Sequence, residues 1–355
     1  MNNVKLKVCT TFSGYDSQCL GLERLKEYDS NFDYELVAWS EIDKGAIDAH
    51  NALFPQWSDR NMGDITKIDW NEIEDFDLLT YSSPCQSFSS AGLQHGGEEG
   101  SGTRSSLLWE VRRCIEAKKP KYMLLENVLA LVSDKFIDLF NRWIKTVNDY
   151  GYKSYWQVLR ANEYGVPQTR PRVFLVSIRN DVDINYTFPM PLDSCKHLYE
   201  YLDNEEDIPV KLFRKKVRCE KMIELKTREV AKLEVPKNSY GGYDLIPCGC
   251  YCHCSDRFMS APKLDCSRTL KAEMLDAGIF YKKNGEYFMR LYSVREQYRL
   301  MGLKEDEIDK VISVLPDTAA QKCAGNSIVV DVLFHIFRKM FVDTLPDKNS
   351  SYILF

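Results

Sequence analysis

The sequence predicts an α/β fold: a doubly wound, mostly parallel sheet carrying a smaller, irregular second domain. Two patterns predict it. Over residues 1–185 short apolar runs alternate with amphipathic helical stretches, as crossover connections between parallel strands require. Beyond about residue 185 the alternation stops and the turn-rich segments NSYGGYD (238–244), PCGCYCHCSD (247–256) and KKNGEY (282–287) accumulate. A chain of 355 residues with 44% hydrophobic and 28% charged side chains can bury one large core and a second, smaller one. The expected division is 1–185, then 186–289, then a closing segment 290–355 whose helices return to the first domain.

The elements follow in order. LKVCTTF (6–12) reads as the first strand, Gly14 opens a turn, and LGLERLKEY (20–28) reads as a helix. YELVAWSEID (34–43) is the second strand, ending in Glu41, and DKGAIDAHNALF (43–54) is a helix that Pro55 stops. Asp64 lies in the next connection. FDLLTY (76–81) is too short for an ordinary helix and reads as a buried strand, with Pro84 ending it for want of an N–H. SSLLWEVRRCIEAKK (105–119) is an amphipathic helix, and KYMLLENV (121–128) a strand closing on Glu126 and Asn127. A helix over 134–149 and strands over 155–161 and 172–180 complete the series. Near the end, Ser293 and Glu296 form a capping box for SVREQYRLMG, and 328–341 is an apolar helix that must pack on the main body.

Gly14, Glu41, Cys85 and Glu126 all fall at carboxyl ends of successive predicted strands, the edge where open α/β sheets place ligands and chemistry. Cys85 follows a strand on a loop of small and polar residues, whereas a packing cysteine lies more often inside an apolar segment. Twelve cysteines with no secretory leader imply mostly free thiols in a reducing, cytoplasmic setting. No run of about 18 apolar residues predicts a membrane span. Net charge is −5, yet residues 211–237 carry ten basic side chains against four acidic ones, either a solvated face or a surface that contacts phosphates.

Six blocks carry a resemblance: FSG (12–14), PCQSFS (84–89), ENV (126–128), QTRPRVF (168–174), RLYSVREQYRLMG (290–302) and GNSIVV (325–330). In this order and spacing the chain resembles the DNA cytosine-5 methyltransferases of bacterial and phage type. The resemblance implies a Rossmann-like S-adenosylmethionine-dependent enzyme that methylates carbon 5 of a flipped cytosine in a short duplex sequence and releases S-adenosylhomocysteine. The chemistry needs these residue types. Carbon 5 is a poor nucleophile until a thiolate adds at carbon 6, which the resemblance assigns to Cys85. The addition pushes charge onto N3, where Glu126 would share a proton, with Asn127 orienting it. Arg172 would reach the cytosine O2, and Arg170 would support Glu126, the loop or the sugar-phosphate.

The same resemblance places the methyl donor at Phe12, Ser13, Gly14, Tyr15, Asp16 and Ser17, with Glu41 and Ile42 at the ribose, Asp64 and Ile65 at the adenine, and Asn326 and Ser327 returning from the C-terminal segment. One departure stands out: Asp16 and Ser17 occupy positions where the family usually has glycine. Pro84, Gln86, Ser87 and Arg104 belong to a glycine- and serine-rich stretch that in relatives closes over DNA, since the flipped base must be sealed from water. Gln168, Arg268, Thr269 and Leu270 are further candidate DNA contacts, with target recognition placed in 186–289. No metal is expected. The CGCYCHC run spaces its cysteines every second residue, which suits one face of a strand better than a zinc site. Double-stranded DNA is the expected partner of a monomer, beside a separately acting restriction endonuclease. An RNA cytosine-5 methyltransferase and a catalytically silent DNA-binding regulator are the alternatives. The presence of all four catalytic types disfavours the second.

Overall fold

Seven apolar segments of the first half become strands in the computed structural model, which describes residues 5–83, 104–182, 185–194, 196–204, 207–214, 244–251, 263–272, 277–283 and 286–343. They are β1 (Leu6–Thr11), β2 (Tyr34–Ser40), β3 (Leu78–Tyr81), β4 (Tyr122–Val128), β5 (Tyr152–Arg160), β6 (Gln168–Thr169) and β7 (Pro171–Arg179). All but β6 join one sheet in the order β2-β1-β3-β4-β7-β5. The pairs β1–β2, β1–β3 and β3–β4 are parallel, while β7 runs antiparallel to both neighbours.

Helices cover both faces, so the central strands are buried on each side. The period of two along a strand sorts the core into two layers. Val8, Leu78 and Leu124 face α1 (Ser17–Tyr28), α2 (Lys44–Leu53) and the C-terminal helices; Cys9, Leu79 and Leu125 face α3 (Glu110–Lys118) and α4 (Ile137–Asp149). Asp43 caps α2 by accepting from the N–H groups of Gly45 and Ala46, which explains why that helix starts where it does.

The closing segment forms α5 (Val294–Arg299), α6 (Glu305–Val314), α7 (Asp317–Asn326) and α8 (Val330–Phe341). The capping box is present: the Ser293 hydroxyl accepts from the Glu296 N–H at 3.1 Å, and the Ser293 N–H donates to the Glu296 carboxylate at 2.9 Å. The apolar C-terminal helix packs chiefly on α1, where Gly21 gives room for Leu333 and Phe337, and its Phe341 ring meets Tyr122 of β4 edge-on at 5.1 Å. No helix among the described residues is long and apolar enough to cross a membrane.

The second domain is more regular than expected. Among the described residues it holds a five-stranded antiparallel sheet, β10-β9-β12-β13-β8, from β8 (Phe213–Arg214), β9 (Asp244–Tyr251), β10 (Lys263–Leu264), β12 (Ala277–Lys283) and β13 (Glu286–Leu291). A short β11 (Ser267–Arg268) instead pairs in parallel with β6. Near both expected boundaries the chain stays in contact with the first domain. Tyr186, Leu198 and Leu202 pack into the first core, because the chain lies along the main body before leaving it. At the other end β13 runs through 289, and the buried Arg290 grips Glu296 of α5 by two hydrogen bonds of 2.7 and 2.6 Å. Most of the basic run, along with Cys252 and Cys254, lies outside the described residues.

Gly325 marks the tightest approach between the two parts. A Cβ there would lie 2.3 Å from the Ala272 nitrogen and 2.4 Å from the Lys271 carbonyl carbon, both backbone. Gly325→Ala is expected to cost about 1–3 kcal/mol by overpacking, read as a fall of about 2 °C or more in the thermal unfolding midpoint. An unchanged midpoint would show that the approach is not tight.

Candidate active site and methyl-donor turn

The carboxyl ends of β1, β2 and β4 meet at one edge of the sheet, and the reversed strand brings a fourth group to it. Because β7 is antiparallel, its first residues, not its last, arrive there: Arg172 pairs in register with Val128, and Phe174 with Glu126. Arg172 therefore sits beside the end of β4, and its Nε lies 2.9 Å from Glu126 Oε1. Both side chains are largely buried. Burial pushes the Glu126 carboxyl above its ordinary value of 4.5, while the charges of Arg172 and then Arg170 pull it back.

Asn127 points the other way from Glu126, as alternate strand residues do. Its amide donates to the Ser83 carbonyl at 3.2 Å and to the Ser83 hydroxyl at 3.4 Å, and its own oxygen accepts from the Val128 N–H. Asn127 thus fixes the chain directly ahead of Pro84 rather than orienting Glu126. Pro84, Cys85, Gln86 and Ser87 lie outside the described residues, as does the side chain of Arg104.

Arg170 is placed differently from its neighbour in the motif. It is 2% exposed, and its guanidinium donates to the carbonyls of Leu270 at 2.7 Å, Gly325 at 2.8 Å, and Ser327. Its fork holds backbone, while its charge also reaches Glu126; support for Glu126, the loop or the sugar-phosphate was the expectation. Gln168 and Leu270, expected at the DNA surface, are 0% and 2% exposed. The Gln168 amide donates to the Leu300 carbonyl at 2.6 Å and accepts from the Leu270 N–H at 3.0 Å, so both residues join segments remote in sequence. Thr269 donates to the Thr169 carbonyl, and Arg268 lies on β11, half-buried.

The turn expected to hold the methyl donor contains three left-handed residues. Phe12, Gly14 and Asp16 have φ of +53°, +58° and +67°. Only glycine adopts this region without steric cost. A Cβ at Gly14 would meet no atom within 4 Å, so the turn borders open space. Glu41 closes the turn: its carboxylate accepts from the N–H of Gly14 at 2.9 Å, Ile42 at 2.7 Å and Asp43 at 2.9 Å. Of the roughly four acceptor positions of a carboxylate, backbone occupies three. Ile42 beside it is 72% exposed. The Thr66 N–H and hydroxyl hold Asp64 below the usual carboxylate range, whereas the Ile65 side chain is buried in the second core layer.

Ser17 and Ser327 hydroxyls touch, so the C-terminal segment does return to this turn; Asn326 beside them is exposed. Tyr15 is buried, its ring 5.7 Å from that of Tyr298. Asp16 turns its carboxylate inward, away from any ligand. Two residues at this edge escaped the sequence reading. Ser83 gave no signal beyond preceding Pro84, and His50 was hidden in the buried stripe Ala46, Ala49, His50, Leu53 of α2.

Comparison with known proteins agrees with this geometry. The family model for the C-5 cytosine-specific DNA methylase matches residues 6–342. The type II methyltransferase M2.ScrFI of Lactococcus lactis subsp. cremoris is 35% identical over 283 residues, covering 79% of this chain and 71% of the relative. The type II methyltransferase M.HhaI of Haemophilus parahaemolyticus is 30% identical over 310 residues, 85% of this chain and 86% of that one. Among solved structures, the Entamoeba histolytica methyltransferase EhMeth shares the fold with a TM-score of 0.67 at 16% identity, over 97% of this chain and 100% of that chain. With its match running across both sheets and into the last helix, the chain belongs to the C-5 cytosine-specific DNA methylase family.

Proposed function

We propose that the chain methylates carbon 5 of cytosine within a short duplex DNA sequence, with Cys85 as nucleophile and S-adenosylmethionine as donor. The observation that carries this reading is the Glu126–Arg172 pair: a buried carboxyl raised above its ordinary value, 2.9 Å from a guanidinium, at the sheet edge that also holds the open donor turn. Glu126 supplies a shared proton to N3 and Arg172 a donor to O2, so charge moving into the ring is met on two adjacent atoms. Thiolate addition forms the sulfur–carbon 6 bond; carbon 5 takes the methyl group as its bond to the donor's sulfonium breaks, leaving a neutral thioether; the carbon 5 proton then leaves to a base such as water, and the bond between Cys85 sulfur and carbon 6 breaks.

The donor, when bound, supplies an electrophilic methyl group on a sulfonium. The residues present fit it: Gly14 borders open space, Glu41 retains an acceptor for a ribose hydroxyl, and Ile42 offers an exposed apolar face. Asn127 acts on the nucleophile's side by fixing Ser83, two residues ahead of Cys85. The described cysteines Cys9, Cys19, Cys114 and Cys323 are all buried, and burial pushes each thiol up, Cys323 to about 12. None of these four is an activated thiolate, and the half-buried Cys266 donates to the Ser267 carbonyl at 3.5 Å. The type II names of the relatives suit a modification enzyme acting as a monomer beside a separate endonuclease.

Bisulfite sequencing of DNA from a methylation-free bacterial host expressing the chain is expected to show protected cytosines in one short motif, absent with Cys85→Ser. Unmarked DNA from soluble, donor-binding protein would refute the duplex-DNA reading and favour an RNA substrate. The two arginines should separate. Arg172→Lys is expected to lower the single-turnover rate about tenfold or more by losing the fixed fork, with little change in unfolding. Arg170→Lys is expected to lose about 2 kcal/mol or more of stability, since a lysine cannot span three carbonyls. The reverse pattern would exchange their roles.

Glu126 also predicts a pH effect. A carboxyl whose native value is raised stabilises the fold below its ordinary value of 4.5, and that stability is lost as pH rises through the native value. Unfolding measured across acidic and neutral pH should therefore show a smaller decline with rising pH in Glu126→Gln than in the parent chain; equal slopes would contradict the assignment.

A further inference from the structure

Asp16 stands in a position that asks for glycine. It is the N-cap of α1 with φ +67° and ψ 57°, a left-handed conformation that a Cβ disfavours. The residue is nevertheless 0% exposed, and its carboxylate is fully engaged within the protein. One oxygen accepts from the Thr10 hydroxyl at 2.8 Å, the other from the Cys19 N–H at 3.3 Å. The backbone is held as well, since the Asp16 N–H donates to the Ser13 carbonyl at 2.8 Å and the Asp16 carbonyl accepts from the Leu20 N–H at 3.2 Å. Asp16 is therefore bound to β1 before the turn and to α1 after it, so its conformation sets the path of residues 12–16 between them.

A buried carboxylate is costly unless something of opposite charge or hydrogen-bonding character faces it. The structure places His50 there. Its Nε2 lies 3.6 Å from Asp16 Oδ2, and both side chains are 0% exposed. That nitrogen is buried without a hydrogen-bond partner among the described residues. The imidazole is stacked on Trp39 of β2, ring centroids 3.7 Å apart and 21° from parallel, while Nδ1 lies 3.5 Å from the Asn51 side-chain oxygen. Neither Asp16 nor His50 faces the open side of the turn, and the chemistry proposed above uses neither. Yet α2 and the end of β2, which carry His50 and Trp39, also carry the Glu41 loop that closes the same turn.

We propose that Asp16 and His50 are a coupled pair of positioning residues for the methyl-donor site. The carboxylate, pinned by Thr10 and Cys19 and faced by the imidazole, holds in place a left-handed backbone that the family obtains from glycine. The pair acts on the donor through Gly14 and Glu41, whose mutual hydrogen bond requires the turn to keep this path. The inference rests on the reading of residues 12–17 as the donor turn. It makes a specific prediction about substitutions: what matters at residue 16 is either the side-chain anchors or freedom from the Cβ, and a residue with neither is the worst choice.

The test is the affinity of the full-length chain for S-adenosylhomocysteine by titration calorimetry, with KM for the donor, kcat and thermal midpoint measured beside it. Asp16→Ala, lacking anchors and keeping a Cβ, is expected to weaken binding about tenfold or more. Asp16→Gly, lacking the same anchors but free of the Cβ, should bind about threefold or more tighter than Asp16→Ala. Asp16→Asn keeps one acceptor oxygen for the Cys19 N–H, lets its NH2 donate to the Thr10 hydroxyl instead of accepting from it, and tolerates the conformation, so it folds readily and should lose only about threefold, through the missing carboxylate charge facing His50. His50→Phe keeps the ring stack on Trp39 and should weaken binding about threefold in the parent chain but not in the Asp16→Ala or Asp16→Asn background, as coupled neighbours do. The losses should appear in KM and leave kcat at saturating donor within about twofold.

Equal binding by the alanine and glycine variants overturns the proposal, as does a His50→Phe effect that is undiminished when Asp16 is already replaced. A fall in thermal midpoint with unchanged affinity and KM also overturns it, by reducing the pair to an ordinary core contact. Failure of the unaltered chain to bind S-adenosylhomocysteine would instead overturn the donor-turn reading, and this inference with it.

Discussion

One buried guanidinium holds together the parts on which the site depends. Arg170 leaves the main body just ahead of β7 and donates to carbonyls of Leu270, from the second domain, and of Gly325 and Ser327, from the end of α7. An arginine that is 2% exposed must satisfy its donors internally, and backbone carbonyls do so without adding another buried charge. Gln168, two residues earlier, repeats the arrangement with the Leu270 N–H and the Leu300 carbonyl. Three segments far apart in sequence are thereby fixed to one short stretch of chain. The Ser327 end of this junction touches Ser17 of the donor turn, and the Leu270 end continues directly into β11. The turn after β1 and the segment after β11 are therefore mechanically contiguous, a consequence of where one side chain is buried.

The second constraint is the direction of β7. Were it parallel like its predecessors, its first residue would lie at the amino edge of the sheet, about 25–30 Å from the ends of β1 and β4 for a nine-residue strand. Antiparallel insertion between β4 and β5 reverses this and sets Arg172 opposite Val128. The Glu126–Arg172 pair is then a product of topology: a carboxyl from the end of one strand and a guanidinium from the start of its neighbour. Burial raises the carboxyl and the guanidinium lowers it, and burial wins. That balance suits a group asked to share a proton, since an unopposed salt bridge would leave it too weak a base.

Much of this was legible from sequence, for reasons that differ by residue. Gly14, Glu41 and Glu126 could be placed because an apolar run followed by a polar residue and a turn marks a strand end whatever the tertiary context. The direction of β7 could not, because RVFLVSIRN has the same buried pattern in either orientation. The regularity of the second domain was partly legible: Asn284-Gly285 between β12 and β13 is a strong short-range hairpin signal, here read only as a turn. The hydrogen bonds of Gln168 and Arg170 were not legible, because their partners are backbone groups about 100 to 155 residues away that no local pattern reveals. Ser83 and His50 went unnoticed for the same reason.

The contrast between Arg170 and Arg172 shows why a motif alone does not assign roles. Two residues apart within one continuous strand, they would point to the same face. The chain instead breaks between β6 and β7, and the residue at the break is Arg170, flanked by Thr169 and Pro171. Proline lacks an N–H and biases the residue before it toward extended backbone, so pairing with β11 ends at Thr169 and pairing with β4 begins at Arg172. Arg170 is left between two ladders and faces the junction, while Arg172 takes its direction from β4 and faces Glu126. A single imino acid thus separates an arginine bound to backbone from one paired with Glu126, and the motif's alternation of arginine and proline has a mechanical meaning beyond charge.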